Sequence, residues 1–141
     1  MNQTAEGTVT AYYSALREGE SLSAFFREAP DAVKVGLSER LVGYADVAAG
    51  LSEQTATTVA WTVESHDLSV SVDDDTAWFS DQVTLEWTDS QADTDYSFET
   101  RWTGTLTRRG PEAPWQFVTL HVSAPNKELQ TAEDDLFAWE N

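Results

Sequence analysis

After Thr55 the chain changes texture, and that change limits its possible folds more than any other feature. Four long runs, "TTVAWTVESHDLSVSV", "TAWFSDQVTLEWT", "YSFETRWTGTLTRR" and "PWQFVTLHVSAP", are rich in Thr, Val, Trp and Ser and alternate apolar with polar residues. That period belongs to strands with one buried face. In the first run the apolar parity starts odd at Val59, Trp61 and Val63 and continues even at Leu68, Val70 and Val72. One inserted residue must separate the halves, so a β-bulge or sharp bend is expected between Ser65 and Asp67. Short turns at Asp73 to Asp75, "TDSQADTD" and "GPEAP" join the runs.

The first third has a different period. Val9, Tyr12, Tyr13 and Leu16 fall at i, i+3, i+4 and i+7, one face of a helix, and Gly19 stands at its C' position. "LSAFFREA" predicts a second short helix closed by Pro30, "DAVKVGLS" a short strand ended by Gly36, and Gly43 opens a third helix through "YADVAAGLSEQ". Helices first and strands afterwards indicate an α+β domain. The expected form is a strongly curved antiparallel sheet with three N-terminal helices on its concave face. Residues 1–125 form the single domain. Residues 126–141 are an acidic tail with Leu129, Leu136, Phe137 and Trp139 as apolar points, either a docked helix or a frayed solvated end.

Charge and composition narrow the partners. The formal net charge is -17, from 25 acidic against 8 basic residues, and such a surface repels phosphate backbones, so nucleic acid is not an expected partner. High charge can also mean disorder, but six tryptophans, four tyrosines and six phenylalanines argue for a packed core. The scattered acids resemble those of salt-accumulating halophiles; the other reading is an ordinary acidic protein. Cysteine is absent, which excludes disulfides, thiolate catalysis and Cys-based zinc sites. No stretch of about 18 apolar residues is available to span a membrane. The start "MNQTAEGTVTAYY" lacks signal-peptide regions, so a cytoplasmic location is expected.

The order "YYSALREGESLSAFF", then "VKVGLSERLVG" before a helix, then four long strands ending in "WQFVTLHVS", resembles the SnoaL-like branch of the NTF2-like (ketosteroid-isomerase-like) superfamily. The ending is similar to the branch that includes the association domain of calcium/calmodulin-dependent kinases. The resemblance implies a cone enclosing one pocket and a homodimer through the outer sheet face. The isomerase base of the family is an Asp on the first short strand, where this chain has Val33, Lys34 and Val35, so steroid-isomerase catalysis is not carried over. Thr119 also stands where relatives have the first histidine of His-x-His-x-Ser.

Parity selects the candidate site residues. Asp81 shares a strand face with Ala77, Phe79, Val83, Leu85 and Trp87, and a carboxylate among aromatics is either a general acid or base or is turned to water by a bulge. His121 shares parity with Trp115, Phe117, Thr119 and Ser123; it is either a proton carrier near pH 7 or a hydrogen-bonded core histidine. Arg101 either pairs with Glu99 across a sheet face or anchors an anionic ligand. Tyr13, Phe26, Trp61, Phe79, Trp102 and Phe117 are the expected aromatic lining. His66 reads as structural. No metal-ligand spacing, phosphate loop or nucleophile motif is present, and no cofactor is expected. Two functions remain open: a small-molecule-binding protein with an apolar pocket, acting as an acid-base lyase or isomerase through Asp81 and His121, or a non-catalytic homo-oligomeric assembly module.

Overall fold

The computed structural model describes residues 3–129. Helix α1 (Ala5–Glu18) starts where the Thr4 hydroxyl accepts the Gly7 amide at 2.9 Å, an N-cap that satisfies one orphan donor. It ends at Gly19, whose φ of 69° lets the Glu20 amide reach the Ala15 carbonyl and the Gly19 amide reach that of Leu16. This is the paired 6→1 and 5→2 closure that favours glycine. Val9, Tyr12, Tyr13 and Leu16 are all buried, as the periodicity predicts.

The expected second helix is reduced to a 3-10 turn, Ser23–Phe25. Phe26 leaves it in extended conformation, bridges Phe117, and is fully buried. So short a segment cannot repay helix nucleation, whereas an extended Phe26 reaches the core at once. Strands β1 (Val33–Val35) and β2 (Arg40–Val42) form a small hairpin, and α2 (Tyr44–Thr57) follows. Two α-helices and one 3-10 turn therefore stand in place of the three N-terminal helices expected, and residues 127–129 are helical after the last strand.

The remaining strands are β3 (Thr58–Ser65), β4 (Ser69–Asp73), β5 (Thr76–Asp89), β6 (Thr94–Thr107) and β7 (Gln116–Ser123). The sheet order is β2-β1-β7-β6-β5-β3, with β4 also on β5. The sheet is mixed rather than wholly antiparallel, because β1 pairs with β7 in parallel. Almost the whole domain separates these two strands in sequence, so no tight turn dictates their direction.

Three irregularities set which side chains face inward. Ser65 pairs with Val83 and Ser69 with Ser80, four steps on one strand against three on the other, which is the single inserted residue expected there. A second bulge lies between Val59 and Thr62 around Ala60, whose φ is 60°. It turns Val59 outward to 52% exposure while Trp61 and Val63 stay inward. The third is in β7, where Leu106 pairs with Phe117 but the adjacent Thr105 pairs with Thr119. Val118 is the extra residue, and beyond it the parity of β7 reverses.

Candidate functional site

Phe79, Asp81, Val83, Leu85, Trp102, Leu106, Phe117, Leu120 and Val122 form the buried inner face of the sheet against α1. Asp81 is there as expected, at 4% exposure, but it belongs to the packed core. Its Oδ2 accepts the Tyr13 hydroxyl at 2.8 Å and the Ser65 hydroxyl at 2.6 Å, and its Oδ1 accepts the Asp67 amide at 2.8 Å. One carboxylate thus ties α1 to β5 and to the bend between β3 and β4. Burial, then the hydrogen bond to Asp81 and its charge, push the Tyr13 phenol far above its ordinary range, against an opposing effect of Arg17. Arg17 itself clamps α1 to β3, donating from Nε (2.9 Å) and Nη2 (2.7 Å) to the Val63 carbonyl.

His121 is not beside Asp81. The Val118 bulge puts it on the outer face, exposed, opposite Val35 on β1 and Thr103 on β6. The expected convergence of Asp81 and His121 on one cavity is not found, because uninterrupted parity from Phe117 cannot be assumed across a bulge. Arg101 is also exposed on the outer face, where its Nε donates to the Ser123 hydroxyl at 3.3 Å. Glu99 accepts from the Thr84 hydroxyl at 2.8 Å instead of pairing with Arg101. His66, which reads as structural, contacts that same Thr84 hydroxyl through Nε2 at 2.8 Å.

The concave cavity, about 370 Å³, opens at the other end of the inner face, under the β1–β2 turn and beside α2. Tyr12, Trp61, Trp87 and Trp102 give it aromatic walls, and Leu120 and Val122 close it from β7 because the bulge turns them inward. The indole N–H of Trp61 is spent on the Thr58 hydroxyl and that of Trp102 on Thr100, both at 2.9 Å. Trp61 and Trp87 stack with centroids 4.8 Å apart. Tyr13, Phe26, Phe79 and Phe117 are core residues that do not line this cavity; of the expected lining, Trp61 and Trp102 do.

Glu53, Gln54, Thr57 and Thr58 bring polar groups to the cavity from the α2 side, and an ion pair stands on the β1 side. Lys34, centre of β1, points inward with its side chain 8% exposed and donates from Nζ to Glu39 Oε1 at 2.6 Å. A buried ammonium is strongly destabilising without such a partner. Gly36 makes the pairing possible: a Cβ there would collide with the Glu39 carboxylate, which folds back over the bare backbone to reach Lys34. The Gly36 amide donates to the Glu39 carbonyl at 2.9 Å and fixes the turn. Tyr12 lies on the same wall. Burial first, and the Glu39 charge second, raise its phenol far above the ordinary range, so it stays a protonated donor.

The family model described as SnoaL-like domain matches residues 6–127. The chain belongs to the SnoaL-like domain family. A search of curated proteins finds no match. Among solved structures, a candidate dehydratase of the NTF2-like family from Streptomyces avermitilis is similar at 21% identity and TM-score 0.72, covering 84% of this chain and 91% of its own. A ketosteroid isomerase-like protein from Erwinia carotovora atroseptica gives 17% identity and TM-score 0.70, with coverage of 86% and 93%. A candidate calcium/calmodulin-dependent protein kinase type II association domain from Thiobacillus denitrificans gives 18% and 0.69, with 89% and 98%. At these identities the likeness establishes an NTF2-like fold and nothing finer. No helix among the described residues is long and apolar enough to cross a membrane.

In this SnoaL-like chain, sequence reasoning passes over Lys34, Glu39, Tyr12 and Trp87. The signal for Lys34 is present in "VKVG": a lysine alternating with valines on a strand of a small α+β domain has either an edge position or a buried partner, and the glycine turn brings one back.

Proposed function

We propose that this SnoaL-like protein binds a planar, mostly apolar small molecule in the concave cavity and acts on it by proton transfer at the Lys34–Glu39 pair, as a lyase or isomerase. The observation that carries this reading is an ion pair between a buried lysine and a half-buried glutamate, opening on an aromatic-walled cavity of about 370 Å³, within the size range of small-molecule sites. Glu39, half-buried at the turn, is the base that takes a proton from the carbon next to a ligand carbonyl. The Lys34 ammonium donates to the carbonyl oxygen and stabilises the negative charge that develops there, and the protonated Tyr12 hydroxyl supplies a second donor on the same wall. The resemblance to structures named as a candidate dehydratase and as ketosteroid isomerase-like supports the same class of chemistry.

The test is hydrogen–deuterium exchange next to the carbonyl of 2-tetralone, a planar bicyclic ketone, followed by proton NMR in deuterated buffer. Exchange faster than in buffer is expected with the native protein. It should be lost in Glu39→Gln and Lys34→Met and retained in His121→Gln. Exchange at the buffer rate, or unchanged in Glu39→Gln, would overturn the proposal.

A second reading has its own observation: Trp78 is 49% exposed on the outer face of β5, and a homodimer through that face would cover it. It is compatible with the first. Light scattering tests it, and a monomer mass at micromolar concentration in high salt counts against it.

A further inference from the structure

We infer that Lys34 is an imine-forming lysine: its Nζ attaches covalently to the carbonyl carbon of an aldehyde or ketone carried on the planar apolar body that the cavity accepts. This rests on the proposed use of the cavity and goes further, replacing a charged hydrogen-bond donor by a covalent bond to the substrate. Three observations carry it.

The first is placement. Lys34 lies directly across from Leu120 in the β1–β7 ladder, its side chain is 8% exposed, and it lines the same cavity as Tyr12, Trp102 and Val122. The nitrogen therefore stands where a carbonyl group carried on an apolar body would come to rest. The second is the base. Glu39 sits 2.6 Å from Nζ, within reach of the proton that must leave before attack, and its 36% side-chain exposure leaves it a route to water. The third is selectivity. Lys34 and Lys127 are the only lysines, and Lys127 is exposed near the end of the described residues. A surface anchor for an acidic chain would not need a lysine inside its cavity.

The step balances within the pair. Glu39 takes one proton from the Lys34 ammonium, the neutral amine adds to the carbonyl carbon, and one proton of the added nitrogen passes to the carbonyl oxygen to give a carbinolamine. Glu39 then returns its proton to the departing hydroxyl, and the nitrogen lone pair closes the C=N bond. The sum is ammonium plus carbonyl giving iminium plus water, with Glu39 again a carboxylate facing a cation. The iminium is the electron sink for loss of a proton from the adjacent carbon, the same proton that the acid-base reading assigns to Glu39.

The experiment is reductive trapping. The native protein is incubated with cinnamaldehyde and sodium cyanoborohydride at neutral pH, and adducts are read by intact mass and peptide mapping. A single adduct on the peptide carrying Lys34, formed about tenfold faster or more than on Lys127 and the terminal amine, is expected, since the cavity holds the aldehyde beside the amine and a base stands next to it. Glu39→Gln should slow it, Lys34→Arg should abolish it, and Lys127→Arg should leave it unchanged. Because Lys34 and Lys127 compete within the native protein, the result does not depend on any variant folding. Labelling of Lys127 and the terminal amine at rates equal to Lys34, or no label on Lys34, overturns the imine. If 2-tetralone exchange persists in that case, the acid-base reading survives without it; if exchange is also absent, both fall.

Discussion

Replacing Asp81 by alanine should unfold this protein more readily without touching its ligand site. The Asp81 carboxylate accepts three hydrogen bonds, from Tyr13, Ser65 and the Asp67 amide. Ser65 and Asp67 are exposed, so water can replace their lost acceptor, and each loss costs about 1 kcal/mol. Tyr13 is 1% exposed and has no such recourse. Its stranded hydroxyl costs about 1–3 kcal/mol, giving a total of about 3–5 kcal/mol. For a domain of this size that corresponds to a fall in Tm of roughly 10 °C or more. Denaturant unfolding followed by circular dichroism measures it, and a cycle with Tyr13→Phe isolates the shared bond, since the double variant should cost less than the two single losses together. A loss below about 1 kcal/mol for Asp81→Ala, or additive losses in the cycle, would refute the structural role.

Three further outcomes follow from other parts of the molecule. Gly36→Ala should push the Glu39 carboxylate away from Lys34, and 2-tetralone exchange should fall about tenfold or more, as for loss of a positioned acid or base; an unchanged rate would show that Glu39 is not the base. The Tyr12 and Tyr13 phenols are raised above their ordinary value of 10.0 in the folded state, so the stability they contribute is fully present below pH 10 and is lost as pH rises above it, by about 1.4 kcal/mol per pH unit for each. Denaturant titrations between pH 9 and pH 11 should show that slope and its reduction in Tyr12→Phe. With a formal net charge of -17, repulsion among surface carboxylates should make Tm rise steeply between dilute buffer and molar KCl, where the Debye length is about 3 Å; a flat response would remove the salt-adapted reading.

The parts legible in sequence were those decided locally. The buried stripe of α1, its glycine closure at Gly19, the course of α2 and the inserted residue between Ser65 and Ser69 all follow from patterns within a few residues. What escaped was decided by partners far along the chain. The Val118 bulge exists only relative to β6, and it exchanges His121 for Leu120 and Val122 at the cavity wall. The Ala60 bulge similarly reverses Val59. Phe26 gave up a helix because Phe117, distant in sequence, offered it a strand partner. Lys34 was readable as a lysine on a short strand, but its burial depends on Leu120 lying across from it and on Glu39 returning over Gly36. Asp81 was placed correctly on the inner face; its three donors come from α1 and the β3–β4 bend, and periodicity does not reveal them. The tail beyond residue 129 lies outside the described residues, and the choice between a docked helix and a solvated end stays where the sequence left it.

Under the proposed function, ligand chemistry belongs to the cavity holding Lys34 and Glu39, and not to the outer-face position of His121. Isothermal titration of 2-naphthol into the native protein, Val122→Trp and His121→Ala measures it most directly, with circular dichroism confirming that each is folded. Val122 lines the cavity, so a bulky indole there should abolish the binding heat, while loss of the exposed imidazole should leave the affinity unchanged. Native-like binding in Val122→Trp together with weakened binding in His121→Ala would contradict it.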